Sequence, residues 1–188
     1  NFAFQQIEEA DYFITLNPDA FPTMDFIKRF EEAAIDRPEY ASFASRMMRD
    51  ENTVDGAGDI YHISGIAWRG LYNQRYFSDE HQSCDVFSPC AGAAMYKAKD
   101  MIAAGGFDDS FFCYMEDVDL GYRLQLKGHR CRYVPQATAI HLGSAITGKY
   151  PDFALYYGHR NLVWSLVKNT PAPLLVLVIP AHILMTVV

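Results

Sequence analysis

The sequence predicts an α/β domain, and three observations predict it. Short β-favouring runs alternate along the chain with segments of helical spacing, the succession that gives a sheet with helices packed on it. Half of the 188 residues are hydrophobic and 21% are charged, enough for one domain with a real core and too apolar for disorder. Carboxylate and imidazole side chains stand just past strand ends, where open α/β sheets bind ligands.

The elements follow in order. Tyr12 to Leu16 is a β-favouring run with little alternation, as expected of a strand covered on both faces in a parallel sheet. Asn17-Pro18 ends it, because proline cannot donate to the ladder and restricts the residue before it. Asp19 then sits just past the carboxyl end of that strand. Residues 23 to 36, TMDFIKRFEEAAID, have helical spacing, with Met24, Ile27, Phe30 and Ala34 on one side. Residues 37 to 85 are polar and mixed; DGAGD reads as a turn and YHISGIAWRGLYNQRYF as strand or loop.

From Asp85 the pattern sharpens. A strand runs through Gly92 to Tyr96, with small residues that let another group approach the backbone. A short helix follows and stops at Gly105-Gly106, a C-cap signal. The next helix starts near Glu116 and ends at Gly128. CRYVPQATAIHLGS gives one or two strands finishing at His141, and residues 151 to 169 give a long amphipathic helix opened by Pro151 and Asp152. Residues 174 to 188, LLVLVIPAHILMTVV, are almost wholly apolar but shorter than the roughly 20 residues that span a bilayer. They form either a membrane-contacting segment or a buried terminal helix. No signal-peptide core opens the chain at Asn1, and both ends are expected to be cuts through a longer protein.

The formal charge of -7 argues against a nucleic-acid surface, which needs a clustered basic face. An acidic protein that handles anionic ligands needs a metal ion or local arginine and lysine to offset its own charge. Cys84, Cys90, Cys113 and Cys131 form no CxxC pair, and no histidine stands at zinc-finger spacing from them. They are expected as reduced, mostly buried thiols of an intracellular protein.

The densest acidic feature is Glu116, Asp117 and Asp119 at one helix start. At about 100° per residue, Glu116, Asp119 and Arg123 share a sector and suit a polar network, while Asp117 points about 100° away. Acidic residues favour helix N-termini through the macrodipole, so this is either a solvated helix start or the mount of a general base. Asp19 in NPD reads as a turn or as a ligand. His141, also at a strand end, is a core or surface residue or a third ligand. Hard cations such as Mg²⁺ or Mn²⁺ accept carboxylate, phosphate and sometimes imidazole, so the three residues become specific in combination.

LNPDAFP, the run from CAGAAMYKAKDMIAAGGFDDSFFCYMEDVDLGYRLQLKGHR to CRYVPQATAIHLGS, and YYGHRNLVWSLVKN together resemble the rhamnosyltransferase-like branch of the family-2 inverting glycosyltransferases. The likeness covers about Asp11 to Asn169, loosely between 37 and 85. It implies a partial GT-A fold over 1–169, Rossmann-like, with 170–188 as an apolar tail. The family's first βαβ unit, which grips the base and ribose, is expected to be missing here.

The implied activity moves a sugar from a nucleotide diphosphate, such as a dTDP- or UDP-sugar, to a saccharide or lipid-linked hydroxyl. Asp19 is then the metal carboxylate for Mg²⁺ or Mn²⁺, with His141 completing the shell. Glu116-Asp117 matches the family's catalytic pair, with Asp117 as base. Asn17, Gly92 and Ala93, together with Gly106, Phe107 and Asp108 of the Gly105–Phe112 loop, match segments around donor and acceptor. Asp119, Arg123 and Arg160 are taken with that binding set. Arg160 and Lys168 either meet an anionic acceptor or lipid head groups, or are ordinary solvated charges.

The implied location is the cytoplasmic side of a membrane, with peripheral contact through 174–188. A sugar-nucleotide pyrophosphorylase would want a Gly- and Lys/Arg-rich phosphate loop near its start, which is not seen. A non-catalytic relative, serving as a binding piece of a polysaccharide assembly, is the rival reading.

Overall fold

A computed structural model describes residues 1–6, 9–76, 82–142 and 151–187. Phe77, at the end of the mixed stretch, and Gly143 and Ser144, which close the CRYVPQATAIHLGS run, lie outside the described residues. The chain begins with a short helix α1 (Phe2–Gln6), strand β1 (Tyr12–Leu16), β2 (Ala20–Pro22) and helix α2 (Phe26–Asp36). Strands β3 (Ser42–Met48), β4 (Val54–Gly56), β5 (Asp59–Tyr61), β6 (Ala67–Arg69), β7 (Asp85–Val86) and β8 (Ala93–Lys97) follow. Helix α3 (Ala98–Ala103), a 3-10 turn (Asp109–Phe111), helix α4 (Glu116–Leu126), strand β9 (Cys131–His141) and helices α5 (Pro151–Asn169) and α6 (Ala172–Val187) complete it.

The main sheet has the order β1-β8-β3-β9-β2, with β4 beside β3 and β7 beside β9. Among the described residues only β3 and β9 run parallel in this sheet; the other pairs are antiparallel. The α/β class holds, with a mixed rather than parallel sheet. These directions bring the carboxyl ends of β1, β3 and β9 and the amino end of β8 to one edge. That edge carries the site.

The strand period of two sorts side chains between the faces. Phe43, Met95 and Val134 join Phe26, Phe30 and Ala34 of α2 on one side, while Tyr96 and Phe13 join Met101 of α3 and Leu120 and Leu124 of α4 on the other. Each fully buried phenylalanine contributes roughly 1.5–3 kcal/mol. The sequence misplaced the α2 face: the helix begins at Phe26, so Met24 lies before it, and both Met24 and Ile27 are exposed. Thr23 N–H donates to Thr138 O at 3.0 Å, which ties the entry turn to β9 and sets the helix roll.

Two other expectations change. Strand β1 was expected to be covered on both faces of a parallel sheet. It pairs antiparallel with β8, and Ile14 and Leu16 stay 39% and 44% exposed because α2 packs toward β3 and β9 instead. DGAGD is only partly a turn: Asp55 and Gly56 belong to β4 and Asp59 to β5, with Ala57 and Gly58 linking them. The first part of the uncertain stretch, Tyr61 to Arg69, closes a hairpin in which Asp59 faces Arg69 and Ile60 faces Trp68.

Strand β9 carries a bulge. Val134 pairs with Ser45 and Thr138 with Arg46, so Pro135, Gln136 and Ala137 have no partners in β3. Proline, lacking an N–H, is at home there.

Candidate active site

Beyond the bulge, β9 pairs with β2 so that Ala20 faces His141. Leu142 N–H donates to Asp19 O at 3.0 Å, closing the corner. The Asp19 carboxylate and His141 Nε2 then stand 3.4 Å apart. On the other side of the ring, His141 Nδ1 lies 2.8 Å from Asp55 Oδ2. With that nitrogen donating to the carboxylate, Nε2 keeps its lone pair toward Asp19.

Asp55 is nearly buried and holds three cationic or polar partners: His141, Arg69 Nη1 at 2.6 Å and Arg49 Nη2 at 3.2 Å. Burial raises its carboxyl, but the bond from His141 and the Arg69 charge outweigh that and leave it below the ordinary value. An octahedral cation with bonds near 2.1 Å holds adjacent ligands about 3 Å apart, so Asp19 and His141 fit as neighbouring ligands of such an ion. No group of three or more metal-binding side chains occurs among the described residues.

Next to this corner is a cavity of about 930 Å³, lined by Asn17, Gly92, Asp59, Arg69, Glu116 and Asp117 among others. A smaller cavity of about 700 Å³, lined by Gln74, Gln125 and Tyr133 among others, shares Asp59 but holds neither Glu116 nor Asp117. At Gly92 the backbone passes so close to Met47 and Asn17 that a Cβ would lie 3.0 Å from the Met47 methyl.

Asp117 Oδ2 accepts from Ala91 N–H at 3.0 Å and Oδ1 from Val118 N–H at 2.9 Å. Each oxygen keeps acceptor capacity for a ligand. Glu116 does not join the Asp119 network that the helical wheel suggested. It lines the same cavity as Asp117, and its Oε2 has no hydrogen-bond partner among the described residues. Burial, then the Asp117 charge, push its carboxyl up to about 7. Asp59 is fully buried and is raised well above the ordinary range for the same two reasons, although Ser88 Oγ donates to it at 3.0 Å.

The segment that delivers Glu116 and Asp117 is strained. Phe112, Tyr114 and Met115 all have positive φ, at 65°, 64° and 67°, a region that ordinary side chains avoid. Helix α5 holds it in place. The fully buried Asn161 donates through Nδ2 to the carbonyls of Phe111, Cys113 and Tyr114 at 2.9, 2.7 and 2.7 Å. Arg160, expected near an acceptor or lipid head groups, donates to Phe111 O at 2.9 Å and lies over the Tyr157 and Trp164 rings.

The remaining candidates divide. Asn17 and Gly92 border the Asp117 cavity, and Ala93 is buried beside it with its carbonyl accepting from Ser45 Oγ at 2.6 Å. Asp119 has no exposure and is gripped by Arg123, Lys168 and Asn169. Arg123 also donates to Gly106 O at 2.7 Å and to Ala104 O. Gly106, Phe107 and Asp108 line a separate hollow with Arg123 and Lys168. Asp108 is bonded by Lys168, which holds its carboxyl well below the usual range. This group forms the frame that joins α3, α4 and α5.

Asp55, Asp59, Arg69 and Asn161 were missed in the sequence. The one signal was the pair of aspartates in DGAGD. All four cysteines are free, with Cys90 and Cys131 buried.

The fold is of the GT-A type. The structure is similar to that of GalNAc-T7 solved with UDP, GalNAc and Mn²⁺, with a TM-score of 0.56 and 12% identity, over 74% of this chain and 29% of that one. Over 143 residues, 70% of this chain, it is 30% identical to the rhamnosyltransferase WbbL of Escherichia coli. Over 57 residues, 30% of this chain, it is 46% identical to the N-acetylglucosaminyl-diphospho-decaprenol L-rhamnosyltransferase of Mycobacterium tuberculosis. These relatives bear out the resemblance to the rhamnosyltransferase-like branch of the family-2 glycosyltransferases. It spans about half of the first relative's length (52%) and about a fifth of the second's (19%). No family model matches it.

Proposed function

We propose that this chain carries the catalytic centre of a metal-assisted, inverting glycosyltransferase that uses a nucleotide-diphosphate sugar. The observation that carries the reading is the placement of the Asp19–His141–Asp55 corner and the Asp117 cavity at one sheet edge.

Asp117 serves as the base. Two backbone N–H groups fix its carboxylate at the lip of the cavity, and a hydroxyl acceptor placed there would give its proton to Asp117 as its oxygen bonds to the anomeric carbon. On the opposite face the bond from that carbon to the diphosphate oxygen breaks, which inverts the centre. Glu116, still partly protonated near neutral pH, limits the negative charge beside Asp117. Asp19 and His141 would hold a Mg²⁺ or Mn²⁺ ion, which supplies charge neutralisation to the departing diphosphate when bound.

The relatives' names support a rhamnosyl donor, for which a dTDP or UDP carrier is proposed, and the mycobacterial name supports a lipid-linked acceptor. Helix α6 agrees with peripheral contact to a membrane surface, because Val176, Leu177, Ile183 and Leu184 are exposed on a segment without a charged residue. No helix among the described residues is long and apolar enough to cross a bilayer.

The test is calorimetric titration with dTDP, UDP and GDP, each with and without Mn²⁺, repeated on Asp19→Ala. Metal-dependent binding of one nucleotide that disappears in the variant is expected. Binding that ignores both Mn²⁺ and the substitution overturns the metal role.

A further inference from the structure

The cavity beside Asp117 poses an electrostatic problem. Asp59, Glu116 and Asp117 all line it, yet the ligand proposed for it carries a diphosphate. Among the described residues of its lining, Arg69 is the one arginine or lysine.

Its setting is built rather than incidental. The β5–β6 register puts Arg69 opposite Asp59. Below it, β4 presents Gly56, where a Cβ would come within 3.4 Å of the Arg69 Cδ, so the side chain lies flat over bare backbone. Arg69 Nη1 donates to Asp55 Oδ2, and that same oxygen meets His141 Nδ1. Guanidinium and imidazole are therefore each a hydrogen bond's length from a common atom. Arg69 Nε and Nη2 have no acceptor among the described residues, and the side chain is 36% exposed. Arg49, the other arginine on Asp55, is different: its second nitrogen is taken by Asn73 and it lies against Tyr72.

We infer that Arg69 is the diphosphate-binding cation of this site, with Nη1 anchored on Asp55 and its remaining N–H groups directed at the phosphate oxygens beside the Asp19–His141 corner. The inference rests on the nucleotide-sugar reading above. A guanidinium suits the role, since it offers a planar fork to phosphate and keeps its charge in a crowded acidic cavity. Asp55 then serves both halves of the site, orienting His141 from one side and Arg69 from the other.

The rival is that Arg69 only neutralises Asp55. Two titrations separate these: Mn²⁺ alone, followed by electron paramagnetic resonance, and inorganic pyrophosphate in the presence of Mn²⁺, followed by calorimetry. Pyrophosphate carries no base, so the outcome does not depend on nucleotide recognition. The parent chain, Asp19→Asn, Arg69→Met and Arg69→Lys are compared, with circular dichroism as the fold check. Arg69→Lys keeps a cation near Asp55 and serves if Arg69→Met does not fold.

Expected are Mn²⁺-dependent pyrophosphate binding by the parent, loss of Mn²⁺ and pyrophosphate together in Asp19→Asn, and pyrophosphate weakened about tenfold or more in Arg69→Met with Mn²⁺ affinity within about twofold of the parent. Arg69→Lys should fall between the two. Unchanged pyrophosphate binding in the Arg69 variants overturns the inference while leaving the metal site standing. A parallel fall in Mn²⁺ affinity overturns it in favour of the Asp55 role. If the parent binds no pyrophosphate with Mn²⁺, the nucleotide-sugar reading falls and takes the inference with it.

Discussion

His141 Nδ1 meets Asp55 Oδ2 at 2.8 Å across 86 residues of sequence, and this contact aims the opposite ring nitrogen at Asp19. A carboxylate behind a ligating imidazole fixes its tautomer and raises its basicity. Asp55→Asn should therefore lower Mn²⁺ affinity about tenfold without removing either ligand. Titration of Mn²⁺ against the parent and the variant checks this; equal affinities would mean that Asp55 does not orient the ring.

Asp117 and Glu116 are adjacent in sequence and line one cavity, but only Asp117 has both oxygens fixed by backbone donors. In a protein that transfers sugar, Asp117→Asn should reduce turnover about 10²–10⁴-fold, the range for a lost general base. Glu116→Gln should cost less. Single-turnover assays of both variants decide the assignment, and the reverse order would move the base to Glu116.

Glu116 also predicts how stability varies with pH. Its carboxyl stands at about 7 in the folded protein, above an unfolded value of about 4.3. The folded state keeps a proton that the unfolded chain has already released. The stabilisation is whole below about pH 4 and is lost as pH rises through about 7. Asp59 is raised for the same reasons and adds to the trend, whereas Asp55 and Asp108 are lowered and act below this window. Glu116→Gln should be more stable than the parent at pH 8 by on the order of 3–4 kcal/mol, and about equal near pH 4. Urea midpoints across pH measure it. A pH-independent difference would contradict the raised carboxyl.

Asn161 makes a separate prediction. Its amide serves three carbonyls of a segment with positive φ at three non-glycine residues. Asn161→Ala leaves those groups without their donor and should destabilise the protein by about 3 kcal/mol. It should also lower turnover, because the released segment leads straight into Glu116 and Asp117. Thermal melts and kinetics on the variant check both, and a variant that loses stability but keeps full turnover would separate the clamp from the chemistry.

The places of Asp19, Asp117 and His141 in the fold were legible because they are marked locally: a strand stop, a helix start, a strand end. The helix boundaries at Glu116 and Gly128 were legible for the same reason. Asp55, Asp59 and Arg69 were not, since their value comes from strand pairings that bring β4, β5 and β6 to residues far along the chain. Periodicity grouped Glu116 with Asp119 and Arg123 and set it apart from Asp117, so its place in the Asp117 cavity stayed hidden. Met24 and Ile27 were misread because spacing does not locate the first turn of a helix. The exposure of Ile14 and Leu16 depended on which strands α2 covers, which no local pattern encodes.

The three unmatched residues of β9 give that strand a second function. The pleat alternates faces with every residue, so the count between Val134 and Thr138 determines which face His141 shows after the bulge. Removing the exposed Gln136 would cost little buried surface, yet it would move everything beyond by one position and turn the imidazole toward the opposite side of the sheet. The site is thus tuned by arithmetic as well as by composition: drift in the length of this segment would silence the chemistry while every functional side chain stayed in the sequence.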